Sequence, residues 1–340
     1  MPVTARGPGR VNLIGEHTDY NGGLALPFAI ARGVTVTAEP IADGIEAEAL
    51  DLGETDAFPL GNREPESGWR AFTRGIVAEL QDAGYGLKPA RLTIEGDVPR
   101  GSGLSSSAAL STALALALLG LADLAPPEDL RHLAKLCSRV ENEWVGQNTG
   151  LMDQLAALLG SDDHALRIDF RSLEVREVPL ELGDWRLVTV DSGASHTLAA
   201  SGYNERRAEC EQACERLGIA TLREATEADL ERLDGTLNKR ARHVLTENAR
   251  VDAMVEALRG GDLEQAGRLL DASHASLRDD YEASVPEVEA TVARLKELGA
   301  AGARMVGGGF GGSVLALLRP GSALPAGAIA VTPGPAAALV

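Results

Sequence analysis

A chain of 340 residues, 44% of them apolar, is long enough to bury a large core and exceeds the usual size of one domain, so two lobes are expected. Its formal charge of −18 and isoelectric point near 4.8 argue against binding nucleic acid or anionic lipid by bulk electrostatics. Any phosphate site must therefore be positive only locally. The chain opens MPVTARGPGR without an apolar run, so no signal peptide is read. Its most apolar helical stretch, residues 108–119, falls short of the ~18 residues a membrane span needs. A cytoplasmic location without membrane or nucleic-acid partners is expected.

Residues 3–14 and 24–38 read as strands, with the polar tract 15–23 between them. Further strands are expected at 45–50, 57–60 and 90–98, and a helix over 69–83. Helices follow at about 105–120, 127–145 and 151–159. The second half begins with strands near 164–170, 173–178 and 185–191. A helical series then covers 203–217, 227–233, 237–259, 262–278 and 285–299. The chain closes with strand ARMVGG, a glycine turn at 307–312, strand SVLALL and a short strand near 328–332. Strands followed by helices, twice over, predict an α+β fold with lobes at 1–160 and 161–340. Cys210 and Cys214 make a helical C-x-x-x-C without nearby partners. Free thiols fit that spacing better than a zinc site or a disulfide.

Four tracts carry chemistry. VPRGSGLSSSAAL, residues 98–110, runs two glycines and three serines into an apolar helix. Glycines allow close backbone approach, and a helix start offers free N–H groups to a phosphate chain. No lysine lies in the loop, so it is not a Walker-type P-loop. A serine-capped buried helix is the structural alternative. PGRVNLIGEHTDYNGG, residues 8–23, crowds Glu16, His17 and Asp19 between glycines. That group suits a polyhydroxyl ligand or half a metal site, and a solvated turn is the alternative. In NTGLMDQLAALLG, residues 148–160, Thr149 can cap a helix whose first turn holds Asp153. Glu141 lies on the preceding helix. GGGFGG at 307–312 contains G-x-G-x-x-G, but a strand follows it, so the dinucleotide fingerprint fails.

Together and in this order, the tracts resemble the galactokinases of the GHMP kinase superfamily. PGRVNLIGEHTDYNGG is similar to the galactokinase signature, VPRGSGLSSSAAL to the superfamily's ATP loop and GARMVGGGFGGSV to its third motif. GLMDQ, SGYNERRAECE at 201–211, RHVLTENARV at 242–251 and DASHASLRDDYE at 271–282 agree, so the likeness spans nearly the whole chain. It implies a two-lobed α+β fold of mixed sheets and packed helices, with the active site in the cleft between lobes. The implied reaction is transfer of the γ-phosphoryl group of ATP to the anomeric hydroxyl of α-D-galactose, with Mg²⁺.

By position, the resemblance makes Asp153 the base and Arg10 its partner. Glu16, His17, Asp19, Gly150, Asp153 and Tyr203 match the sugar positions. Gly101, Ser102, Gly103, Leu104, Ser105, Ser106, Ser107 and Ala108 match the phosphate loop, and Trp69 a tryptophan near the nucleotide. Ser107 and Glu141 match the Mg²⁺ ligands. A carboxylate of ordinary pKa ~3.9 beside an arginine is a poor base, so the proton is expected to move late, in a loose transition state. A monomer is expected.

Only seven residues precede Pro8, where the family usually has a longer lead. The tail after GGGFGGSV lacks the helix expected between the last two strands, which bears on edge packing more than on chemistry. Gly202 stands where a glutamate is usual and Val285 where a cysteine is. Two functional alternatives remain. One is a kinase for N-acetylgalactosamine, galacturonate or arabinose, and the uncompensated acids Glu16 and Asp19 argue against the anionic sugar. The other is a non-catalytic galactose/ATP sensor, against which the retained Asp153, Arg10 and serine loop argue.

Overall fold

The computed structural model describes residues 1–99, 102–194 and 199–340. Its centre is helix α2 (Ser106–Leu121), of which every residue from Ala108 to Leu119 is buried. A helix apolar on all sides is stable only when covered on all sides, and this one is wrapped by strands and other helices. Strand β1 (Val3–Asn12) lies directly against it. A Cβ on Gly7 would sit 2.1 Å from the carbonyl oxygen of Ala109, so the close approach needs a glycine.

The remaining elements follow in chain order: β2 (Leu24–Ala25), β3 (Pro27–Pro40), β4 (Ile45–Ala49), β5 (Glu54–Phe58), α1 (Trp69–Asp82) and β6 (Ala90–Gly96). After α2 come α3 (Leu130–Arg139), α4 (Met152–Leu159), β7 (His164–Asp169), β8 (Glu174–Pro179) and β9 (Arg186–Asp191). The second half continues with α5 (Ala199–Leu217), α6 (Glu227–Leu230), α7 (Gly235–Arg259), α8 (Leu263–Asp279) and α9 (Pro286–Glu297). It ends with β10 (Ala300–Met305), β11 (Ser313–Leu318), β12 (Ile329–Val331) and β13 (Ala338–Leu339).

Among the described residues, three sheets form: β13-β1-β3-β6-β4-β5, β10-β11-β9-β12 and β2-β7-β8. Pairing is antiparallel except for β4 with β6. The fold is α+β with mixed sheets and packed helices, as expected. One apolar core surrounds α2, a second joins the β1–β3 end to α7 and α8, and a third lies between β9–β11 and helices α5, α7 and α9.

Four local readings change. The strand expected over 24–38 breaks before Pro27, and the short first piece joins a different sheet. The helix expected over 127–145 begins only after Asp129, which caps it by accepting from the Arg131 N–H. Its last turn, Val140–Trp144, widens into a π-helix, a rare form found often at functional sites. Finally, the tail, which as expected has no helix between β11 and β12, adds a strand beyond the last one expected. It runs back across the molecule, where β13 pairs with β1 at Ala5 and Arg6.

Candidate active site

The three glycine tracts meet. The Arg10 N–H donates to the Leu104 carbonyl at 3.0 Å, and a Cβ on Gly9 would lie 2.6 Å from that oxygen. Gly103, at φ +74, rests against the carbonyl of Val306, and Gly307, at φ +80, against Gly103. Thus the 307–312 turn approaches another backbone. Together with residues 141–153 these tracts enclose a cleft of about 510 Å³. Tyr203 and Asn204 of α5 close its other side.

Of the residues singled out in the sequence, Arg10, Glu16, His17, Asp19, Gly150, Asp153 and Tyr203 line this cleft. Ser102, Gly103, Leu104, Ser105, Ser106, Ser107 and Glu141 line it too. Gly101 lies outside the described residues. Ala108 belongs with neither the cleft nor its neighbour: one position past the serines the helix turns it into the interior, where it is 1% exposed. Trp69 lines an adjoining cavity of about 530 Å³, with Leu52, Ile94, Val98 and Leu110. The two cavities share Gly68, Phe72, Ser106 and Ser107. The serine helix start thus stands between the two cavities.

At the helix start Ser105 adopts the left-handed conformation (φ 61°, ψ 53°) and makes no cap with its side chain. Its hydroxyl instead donates to Asp153 Oδ2 at 2.6 Å. Arg10 Nε and Nη2 donate to Asp153 Oδ1 and Oδ2, each at 2.7 Å. Arg10 Nη1 donates to the Gly103 carbonyl. Burial works against the Arg10 charge, but Asp153 and Glu16 outweigh it, and its pKa is raised. Non-glycine residues at positive φ cost energy and cluster where function requires them. Ser105, His17 and Phe310 are such residues, all beside this cleft or its glycine turn.

Glu141 stands on the π-turn, and its two oxygens take three donors. Ser107 Oγ reaches Oε1 at 2.9 Å, while Thr149 Oγ1 and Gln154 Nε2 reach Oε2 at 3.1 and 2.8 Å. Thr149 therefore does not cap α4, whose N-cap is Leu151. Burial, then Asp153, raises the Glu141 pKa. A hydroxyl and a carboxylate facing the serine loop are hard oxygen donors suited to Mg²⁺, an ion that keeps most of its shell for water and phosphate. Among the described residues no group of three or more His, Cys, Asp or Glu is placed to hold a metal ion, and Glu16, His17 and Asp19 make no such group.

At the other end, Glu16 is not uncompensated. Its Oε1 pairs with the fully buried Arg304 at 2.7 Å and accepts the Gly307 N–H at 2.8 Å. Asp19, half-buried, is pushed up to about 6 by burial first and then by Asp153. A Cβ on Gly150 would lie 2.0 Å from Asp19 Oδ2. His17 is pushed down to about 3, by burial first and then by His243, and so is neutral. Its ring packs on those of Tyr203 and Tyr281, at centroid distances of 5.1 and 4.5 Å. Gly202 faces the Phe310 ring, 2.6 Å from where its Cβ would be, so a longer side chain there would have to displace that ring. Arg304, Gln154, Asn204, Tyr20 and Tyr281 lay inside recognised stretches, but nothing in their spacing marked a role.

These features define a kinase of the GHMP type. The GHMP kinase N-terminal domain matches residues 71–161 and the GHMP kinase C-terminal domain residues 254–328. The galactokinase galactose-binding signature matches residues 1–40. The chain is 43% identical over 321 residues to the galactokinase of Thermotoga petrophila, covering 94% of this chain and 90% of that one. It is 44% identical over 332 residues to the galactokinase of Roseiflexus sp., covering 94% and 84%. The crystal structure of Lactococcus lactis galactokinase complexed with galactose superposes with a TM-score of 0.90 at 34% identity, over 99% of this chain and 95% of that one. The chain belongs to the galactokinase family.

Proposed function

We propose that the protein transfers the γ-phosphoryl group of ATP to the anomeric hydroxyl of D-galactose, yielding α-D-galactose 1-phosphate and ADP. One observation carries the reading: a single carboxylate, Asp153, is bonded at once by Arg10 of the sugar-signature tract and Ser105 of the serine loop. Three donors leave about one of the four acceptor positions of a carboxylate free, and that position accepts the sugar's anomeric O–H. In a loose transition state the hydroxyl attacks with its proton largely in place, and Asp153 takes the proton as the new O–P bond forms. Arg10 and the helix start at Ser105–Ser107 stabilise charge on the transferred phosphoryl group. Mg²⁺, when bound, neutralises phosphate charge; Ser107 and Glu141 would hold it.

Glu16, His17, Asp19, Gly150 and Tyr203 form the sugar chamber, Ser102–Ser107 the phosphate cradle, and Trp69 one wall of the base slot. The chain works as two lobes, 1–160 and 161–340, and as a monomer in the cytoplasm. Both halves line the cleft, and no helix among the described residues is long and apolar enough to cross a membrane.

The test is coupled ADP release with Mg·ATP against galactose, glucose, N-acetylgalactosamine, galacturonate and arabinose. Turnover confined to galactose supports the reading. Turnover on another sugar moves the specificity, and binding of both substrates without turnover makes the protein a sensor.

A further inference from the structure

Behind the sugar chamber lies a line of hydrogen bonds for which phosphoryl transfer has no direct use. His17 Nδ1 is 2.8 Å from the Tyr20 hydroxyl, that hydroxyl is 2.7 Å from the Tyr281 hydroxyl, and the latter is 3.1 Å from Cys210 Sγ. Tyr281 is fully buried and comes from the segment after α8, more than 260 residues from His17 in sequence. Its ring lies between those of His17 and His243, 4.5 Å from each.

The chemistry gives this line a direction. A phenol O–H is a far better donor than a neutral imidazole N–H, and an imidazole nitrogen a far better acceptor than a phenol oxygen. Tyr20 therefore donates to Nδ1. With its proton spent, the Tyr20 oxygen accepts from Tyr281, whose oxygen in turn faces the Cys210 thiol. The imidazole proton then resides on Nε2. That atom is buried in a ring that lines the cleft; it makes no well-aligned hydrogen bond, and the Gly308 backbone lies within polar reach of the ring.

We infer that Tyr20 and Tyr281 are positioning residues, a relay that fixes His17 as its Nε2–H tautomer so that it donates to an oxygen of the sugar. This rests on the cleft being the galactose site. Tyr281, the relay's far member, does not line the cleft.

The test combines a readout free of substrate with one that needs it. Protein labelled with ¹⁵N-histidine has six histidines, and His17→Asn identifies the signal of His17. Long-range ¹H–¹⁵N correlation should show that ring as the Nε2–H tautomer in the wild type. Tyr20→Phe should give a mixture of tautomers and about tenfold weaker galactose binding by calorimetry, the loss of roughly one good hydrogen bond. Tyr281→Phe should give a smaller loss of a few-fold, and ATP affinity should be retained in both. A wild-type Nδ1–H tautomer overturns the inference. So does weakened galactose binding in Tyr281→Phe with an unchanged His17 spectrum, which would make that tyrosine mere packing. If Tyr20→Phe does not fold, the wild-type tautomer and the Tyr281→Phe spectrum decide. Wild type that binds no galactose overturns the sugar reading, while the tautomer result still judges the relay.

Discussion

Arg10 holds Asp153 by both carboxylate oxygens, its Nε and Nη2 each 2.7 Å from a different one. The pair joins a residue of β1 to the first turn of α4, 143 positions later. A two-pronged bond of this kind fixes orientation as well as charge, which a lysine cannot reproduce.

Asp153→Asn turns one acceptor into a donor that faces donors already in place. Steady-state kinetics should show kcat lower by about 10²–10⁴-fold, with ATP affinity within a few-fold of wild type. Arg10→Lys should lose about 10²-fold or more in kcat. Near-normal turnover in Asp153→Asn would remove the base role.

The pH profile should report Asp19. Its folded pKa of about 6 means that it is ionised, and accepts sugar hydroxyls, only above that value. Galactose kcat/KM should therefore fall about tenfold per pH unit below about 6, while the KM for ATP stays level. In Asp19→Asn the step should vanish and the plateau drop. For stability the sign is opposite. A carboxyl whose folded pKa is raised contributes fully below its unfolded value of ~3.9, and that contribution is lost as pH rises through about 6.

Gly150→Ala is a test of close approach. The new methyl would overlap the Asp19 carboxylate, 2.0 Å from Oδ2, and must push it aside. Displacements near 1 Å at a binding group cost on the order of 10²-fold, so galactose KM should rise by about 10–100-fold. A KM within twofold of wild type would show that Asp19 does not contact the sugar.

Chelation by EDTA should abolish turnover, and added Mg²⁺ should restore it. Glu141→Gln keeps the size of the side chain but removes its charge, and should raise the Mg²⁺ needed for half-maximal rate by about 10-fold or more. Ser107→Ala should shift it in the same direction. If both variants titrate like wild type, the ion is held elsewhere.

Much of this molecule was legible in its sequence because the signals are local. Periodicity located most of the helices and strands, the all-round apolar stretch marked the central helix, and the glycine tracts with their acids and serines marked what lines the cleft. The glycines told of close approach without telling what is approached. What only the tertiary structure decided are the partners. Thr149 read as a helix cap and a serine cap was the alternative reading of the loop, yet the hydroxyls of Thr149 and Ser105 turn to Glu141 and Asp153. Glu16 read as a bare acid, yet it is neutralised by Arg304 and bonded to the Gly307 N–H, 291 residues away. The π-turn at Glu141 and the two-residue strand at Ala338–Leu339 leave no periodic trace, being shorter than any pattern they could show. A hydrogen bond satisfies whichever donor and acceptor the packed chain brings together. Spacing along the chain settles that pairing within a helical turn or a hairpin, and across hundreds of residues only the closed fold does.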